Sequence, residues 1–324
     1  MRAEELDQIH LARIEAARAR IAPHLRPTPL VASATLSRRL GAQVHLKLEM
    51  LQTTGSFKVR GAFNKMLGLA PGSRVVAVSG GNHAQAVAYA AGVLKMQAQV
   101  FMPEGTPENY VAATRGYGAE VALVPGIARA FEEARAAEQA GWVMVHPFDD
   151  GDVIAGQGTL GLELLDELPG LSDVVVSIGG GGLATGVAAA LKSQKPGVRV
   201  WGVETEGANA MARALAAGEV VRMEAITSIA RTLGAPAVSP LTLRAAQTWF
   251  EKVEVVSDAE TVRALDFLLE RCKILTEPAA ACTLAAAERL RQHWKESDQV
   301  VLVLCGGNLA VADLCGFAAL RATA

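Results

Sequence analysis

The sequence predicts an α/β protein of two lobes, each an open, mostly parallel sheet covered by helices. Three observations carry that reading. Short β-branched runs that end in glycine or turn residues recur at 74–78, 98–102, 120–124, 142–146, 174–178, 198–203 and 299–304. Alanine-rich stretches of helical periodicity lie between most of them, at 84–94, 127–140 and 185–193. Strands alternating with helices build βαβ units and a parallel sheet. Some runs, such as Val174-Val175-Val176, are apolar without alternation, which suits a strand covered on both faces.

The units fall into two groups, one over residues 50–150 and one from about 150 onward. No Pro- or Ser-rich linker separates them, so the chain is expected to pass directly between two packed lobes. A cleft between lobes is where small-molecule sites usually form. Boundaries are placed to give a small domain at 50–150 that closes over a ligand, and a large domain made of 1–49 plus 151–324. With 324 residues, 51% of them hydrophobic, the chain can bury one large core or two moderate ones. With the last strand-and-helix unit at 299–320, no appended regulatory domain is expected.

A formal net charge of -2, with basic residues scattered, argues against nucleic-acid and anionic-membrane partners. Residues 1–25 mix Arg, Glu and Asp with apolar residues at helical spacing, unlike a signal peptide. No stretch has the length and purity of a membrane span. A cytoplasmic protein is expected. Cys272, Cys282, Cys305 and Cys315 match no zinc spacing, and disulfides have little place in such a compartment. Cys272, Cys282 and Cys315 read as small buried hydrophobes.

Three glycine-containing turns and one lysine carry the chemistry. Thr53-Thr54-Gly55-Ser56-Phe57-Lys58-Val59-Arg60-Gly61-Ala62 places a single lysine in an apolar, glycine-flanked turn. A lysine kept from water has a lowered pKa and can act as a nucleophile toward carbonyl groups at neutral pH. Ser177-Ile178-Gly179-Gly180-Gly181-Gly182-Leu183 follows an apolar strand and opens a helix. Backbone N–H groups and the helix terminus make that turn a phosphate cradle. Val78-Ser79-Gly80-Gly81-Asn82-His83 follows another strand, and its small residues before a helix suit a carboxylate; His83 there reads as a structural hydrogen-bond partner more than a general base. Leu304-Cys305-Gly306-Gly307-Asn308 closes the last strand in the same way, at the sheet edge where ligands of open α/β sheets bind.

These motifs, with His146-Pro147-Phe148-Asp149-Asp150, stand in the order and approximate spacing of the threonine/serine dehydratase and serine racemase family. The resemblance spans about residues 20–315. It implies pyridoxal-phosphate fold type II, similar to the tryptophan synthase β subunit, with the cofactor in the large domain. It also implies that Lys58 carries pyridoxal 5'-phosphate as a Schiff base and later moves the substrate's Cα proton. Phe57 would pack on the ring and Asn82 would donate to its 3-oxygen. Gly179, Gly180, Gly181, Gly182 and Leu183 would hold the phosphate, and Cys305 would face the ring nitrogen. Thr54, Ser79, Gly80, Gly81, Asn82 and His83 would bind the substrate carboxylate. The implied reaction is β-elimination from an L-3-hydroxy amino acid to a 2-oxo acid and ammonia, in a homodimer.

Several residues depart from the family pattern. Racemases carry a second serine where Gly80 stands, which favours a dehydratase. Glu204 matches the first ligand of the family's divalent-metal site, yet Ala210 falls where the second acid belongs; Glu204 and Glu206 read equally well as solvated. Ile229-Ala230-Arg231-Thr232-Leu233-Gly234 replaces an Ala-Asp-Gly segment, and Tyr110 replaces a lysine. The altered segment brings aryl substrates such as β-phenylserine into view. Cys305 replaces a serine, an equally weak partner for the ring nitrogen. Glu277 is expected either to line the ring edge or merely to start a helix. Two other readings stand behind the dehydratase: a β-replacing synthase on the same fold, and a nicotinamide dehydrogenase or nucleotide-binding module that uses Gly180, Gly182 and Gly186.

Overall fold

A computed structural model describes residues 6–322. Ten strands form two sheets: β1 Leu30–Ala32, β2 Gln43–Leu48, β3 Arg74–Val78, β4 Gln97–Pro103, β5 Glu120–Val124, β6 Val143–Met144, β7 Leu171–Ser177, β8 Arg199–Thr205, β9 Phe250–Val256 and β10 Gln299–Leu304. The larger sheet runs β1-β2-β10-β7-β8-β9 and the smaller β5-β4-β3-β6. All pairings are parallel except β1 with β2. The α/β class with helix-covered parallel sheets is therefore borne out.

The runs at 74–78, 120–124 and 299–304 are strands to the residue. The run at 142–146 shortens to Val143–Met144, because it pairs only with β3, at the edge of the smaller sheet. β1 is only three residues long, β2 alternates Gln43, His45 and Lys47 with apolar residues, and β9 is broken by Glu251, Lys252 and Glu254, so none of them stands out as an apolar run. Helices begin at Asn82, Gly126 and Gly182, earlier than their alanine-rich stretches, since the glycine turns feed directly into the first helical residue.

One apolar cluster packs around β7, β8 and β10, and a second around β3 and β4 with the helices Lys58–Leu67 and Asn82–Leu94. The helix Gly151–Glu167 joins them. At Gly156 a Cβ would stand 2.7 Å from the Arg60 carbonyl oxygen, and at Gly186 one would stand 2.4 Å from the Ile154 carbonyl oxygen. Backbone therefore meets backbone on both flanks, which sets the helix bearing Lys58 at a fixed spacing from the helix that follows the tetraglycine turn.

The cysteines divide. Cys282 and Cys305 are buried, but Cys272 is only partly so and Cys315 is exposed. Cys315 sits in the short helix Val311–Gly316 over the outer end of the cleft, with no sheet above it, which corrects the expectation of burial. Among the described residues no helix is long and apolar enough to cross a membrane.

Candidate active site

Loops at the carboxyl ends of β3, β6, β7 and β10 converge on one cavity of about 540 Å³. Ligands of parallel sheets bind at that end because strand termini and helix N-termini face each other there. Phe57, Lys58, Ser79, Gly80, Gly81, Asn82, His83, Gly179, Gly180, Gly181, Gly182, Leu183 and Cys305 all line it, so the structure brings together every sequence-derived candidate except two. Thr54 lies behind the wall, with its hydroxyl buried and unpartnered. Glu204 is elsewhere.

Lys58 opens its helix at the cavity floor, where Nζ donates to the Pro147 carbonyl oxygen at 2.8 Å. Burial lowers its pKa to about 8, against the opposing pull of Cys305 and Glu277. The preceding turn is strained: Thr54, a β-branched residue, adopts φ 68°. Two bonds from the β10 loop hold it, Asn308 Nδ2 to the Thr54 carbonyl at 2.8 Å and Gly307 N to the Gly55 carbonyl at 2.9 Å.

Across the cavity the glycine turn leads into the helix Gly182–Gln194, whose first N–H groups have no carbonyl one turn back. Phe148 seats against this turn so closely that a Cβ on Gly180 would lie 2.1 Å from its ring. Cys305 accepts a hydrogen bond from Ser177 Oγ at 3.4 Å, and burial pushes its thiol up to about 12, so it stays neutral.

The asparagine loop is linked to both neighbours. Asn82 Nδ2 donates to Glu277 Oε1 at 2.9 Å, and Asn82 Oδ1 accepts from Asn308 Nδ2 at 2.8 Å. The same Glu277 oxygen accepts from Thr232 Oγ1 at 3.0 Å. Glu277 holds the N-cap position of the helix Pro278–Leu290, yet its side chain makes no cap bond and turns to Asn82 and Thr232 at the cavity wall instead. His83 Nε2 lies 2.7 Å from the Val145 carbonyl oxygen and so carries the proton there. Burial, with Lys58 and His146 adding to it, lowers its pKa to about 3. A neutral ring already engaged by the main chain fits the structural reading of His83.

Glu204 is fully buried rather than solvated, and its two oxygens accept from Met211 N and Ala212 N at 2.9 and 2.8 Å. A carboxylate spent on a helix N-terminus has little left for a cation, and no cluster of three or more His, Cys, Asp or Glu groups suited to a metal occurs among the described residues. Glu206 is exposed.

Sequence reasoning passed over Ser177, Phe148, Thr232 and Asn308 as site residues, although each lies in a motif it quoted. Tyr110 was singled out only as a departure; its hydroxyl donates to the Asn308 carbonyl, tying the helix Glu108–Gly116 to the β10 loop across the cleft. For Ser177, Thr232 and Asn308 a small polar residue near a glycine was the available signal; Phe148 offered none.

A family model described as pyridoxal-phosphate dependent enzyme matches residues 21–306. The L-threonine ammonia-lyase of Geobacter sulfurreducens is 42% identical over 93% of this chain and 76% of its own length. Maize serine racemase superposes with a TM-score of 0.91 at 34% identity, covering 95% of this chain and 96% of its own. A threonine deaminase from T.th. does so at 0.85 and 39%, covering 93% and 99%.

Proposed function

The chain belongs to the pyridoxal-phosphate dependent enzyme family, and on that premise we propose that it is an ammonia-lyase converting an L-3-hydroxy amino acid to a 2-oxo acid and ammonia. One observation carries the proposal: a desolvated lysine amine stands between a glycine-lined helix N-terminus and an asparagine loop that opens a second helix. The relatives named as threonine ammonia-lyase and threonine deaminase support the substrate class.

The residues fit the cofactor. Phe57 offers a ring face, Lys58 an amine, the turn Gly179–Leu183 a cradle for a phosphate, and Asn82 an amide N–H still free beside Glu277. When bound, pyridoxal phosphate supplies an electron-withdrawing ring that makes the substrate's Cα–H acidic. Lys58, whose lowered pKa leaves part of its amine neutral near pH 7, takes that proton. The N-terminus of the helix Asn82–Leu94, with Ser79 beside it, binds and orients the carboxylate. Cys305 presents a neutral thiol, which gives no charge to hold a proton on a ring nitrogen.

Gly80 separates this reading from a racemase. A Cβ there would stand 2.7 Å from Thr106 Oγ1, which itself donates to the Pro103 carbonyl oxygen, so a second serine would have to turn Thr106 out of that bond. As to the substrate's side chain, Pro107, Ile127, Phe131 and Phe148 give the cavity an apolar wall, and we extend the proposal to aryl substrates such as β-phenylserine. The test is 2-oxo acid formation from L-serine, L-threonine, both β-phenylserine diastereomers and 3-hydroxyaspartate, with Lys58→Ala as control. Turnover of threonine or serine, reduced by ~10²–10⁴-fold or more in the variant, is expected. A yellow holoenzyme that turns over none of them would point to β-replacement instead, and a rate unchanged by Lys58→Ala would remove the lysine from the mechanism.

A further inference from the structure

Among the described residues, Glu277 is the one carboxyl group of the cavity that leaves a buried oxygen without a partner. Its Oε1 accepts from Asn82 Nδ2 and from Thr232 Oγ1, whereas Oε2 makes no hydrogen bond and is shut off from solvent. An unsatisfied buried carboxylate oxygen costs free energy on the order of 1–3 kcal/mol or more, so it needs either a donor or a proton of its own. Because Oε1 is already an acceptor twice over, a proton on this side chain sits on Oε2. That oxygen is closed off from the cavity as well as from bulk water, so the side chain acts on the site through Oε1 and the two residues it holds, both of which line the cavity.

We propose that Glu277 is a second proton-holding group of this site, with its proton on Oε2 and its Oε1 held by the positioning residues Asn82 and Thr232, through which its charge state acts on the bound substrate and cofactor. The proposal rests on the lyase reading for its consequence in turnover, but not for the state of the carboxyl itself. Thr232 comes from the segment that departs from Ala-Asp-Gly, and its methyl group lies 3.4 Å from where a Cβ of Gly81 would be. It therefore reaches from the large-sheet side to the asparagine loop, and it lowers the freedom of both.

The charges facing Glu277 favour its neutral form. Lys58 is the cation that faces it; Cys305 after β10, Cys282 on the helix behind it and Tyr110 from the opposite lobe are all neutral, with burial pushing each above its ordinary value. Burial raises Glu277 itself to about 7, opposed by Thr232, Asn82, Lys58 and the Asn308 main chain. A loaded site engages the Lys58 amine and adds the phosphate and the substrate carboxylate, which all push the same way.

The test compares pH profiles of kcat and the infrared carboxyl band of the holoenzyme. In the wild type kcat should fall as the pH rises through the titration of Glu277, from about 7 upward, because ionisation puts a full negative charge on the carboxyl that holds Asn82 and Thr232. Glu277→Gln keeps the acceptor at Oε1 and places an uncharged N–H₂ at the Oε2 position. It should lose no more than about ten-fold in kcat and have a flat profile over that range. Thr232→Val removes a bond that favours the charged form, so the falling limb should move to higher pH, and Thr232→Ser should restore it. That pair repeats the test without touching the carboxyl, should Glu277→Gln fold poorly. The band of a protonated carboxyl, lost with rising pH in the wild type, should be missing from Glu277→Gln. An alkaline limb unchanged in Glu277→Gln or in Thr232→Val, or a band that survives Glu277→Gln, overturns the proposal. A wild type that turns over no substrate but shows the band, absent in Glu277→Gln, would refute the lyase reading and support the carboxyl assignment.

Discussion

Lys58 and Arg60 stand two residues apart on one helix and serve two buried polar clusters of opposite character. Residues so spaced point to different sides of a helix. On the Arg60 side the guanidinium donates to both oxygens of Glu49 at 2.8 Å and to those of Glu163 at 2.6 and 2.9 Å. Lys47 extends the cluster to Glu163, Glu167 and the Thr28 carbonyl. On the Lys58 side, Asn82, Asn308, Thr232 and Glu277 form a chain of bonds that leaves Glu277 Oε2 and His83 Nδ1 without partners. Both clusters are removed from water, and only one is complete. The complete one holds the helix in place; the incomplete one borders the cavity, which it meets through Asn82 and Thr232.

The two should therefore fail differently when broken. Arg60→Met takes the only cation among the described residues from buried Glu49 and one of two from Glu163, and should cost about 3–5 kcal/mol of stability in urea unfolding. A loss below about 1 kcal/mol would mean that water reaches this cluster. Asn82→Ala removes one partner each from Asn308 and Glu277, but it does so at the cavity wall. It should weaken cofactor affinity by a factor corresponding to about 1–3 kcal/mol, with little change in the unfolding midpoint; the reverse pattern would make Asn82 a structural residue.

His83 sharpens the contrast through pH. Its folded-state pKa of about 3 lies below the ordinary 6.5, so the unfolded chain takes up a proton that the folded chain refuses. Stability should accordingly fall as the pH drops below 6.5, by up to about 1.4 kcal/mol per pH unit for this group. His83→Gln should make that decline shallower, and an unchanged slope would place the acid sensitivity elsewhere. The smallest effect belongs to Tyr110→Phe, which deletes one hydroxyl bond across the cleft. About 0.5–1.5 kcal/mol is expected, read as a rise in KM with kcat nearly constant. A fall in kcat alone would show that the bond matters after the substrate is bound.

What could be read ahead of the structure follows from how local each signal is. The tetraglycine turn, Lys58 and the asparagine loop are contiguous, and strand, turn and helix start each leave a mark within a short stretch of chain. β1 and β2 left none, because their place in the larger sheet depends on β10, at the far end of the chain. Cys315 was expected to be buried because its residue type favours burial, and burial is decided by what packs above a helix. Glu204 was read against a metal pattern, whereas its oxygens are taken by main-chain N–H groups seven and eight residues on.

The sequence alone determined the α/β class, the Schiff-base lysine candidate and the turns that could hold an anion, since each depends on residue type and short-range geometry. Only the tertiary structure decided which polar groups are complete. It brought Glu277 to Asn82 across 195 residues, Thr232 to Glu277 across 45, and Tyr110 to Asn308 across 198. Whether a buried oxygen finds a partner depends on all the segments that meet around it, and no one of them carries that information by itself.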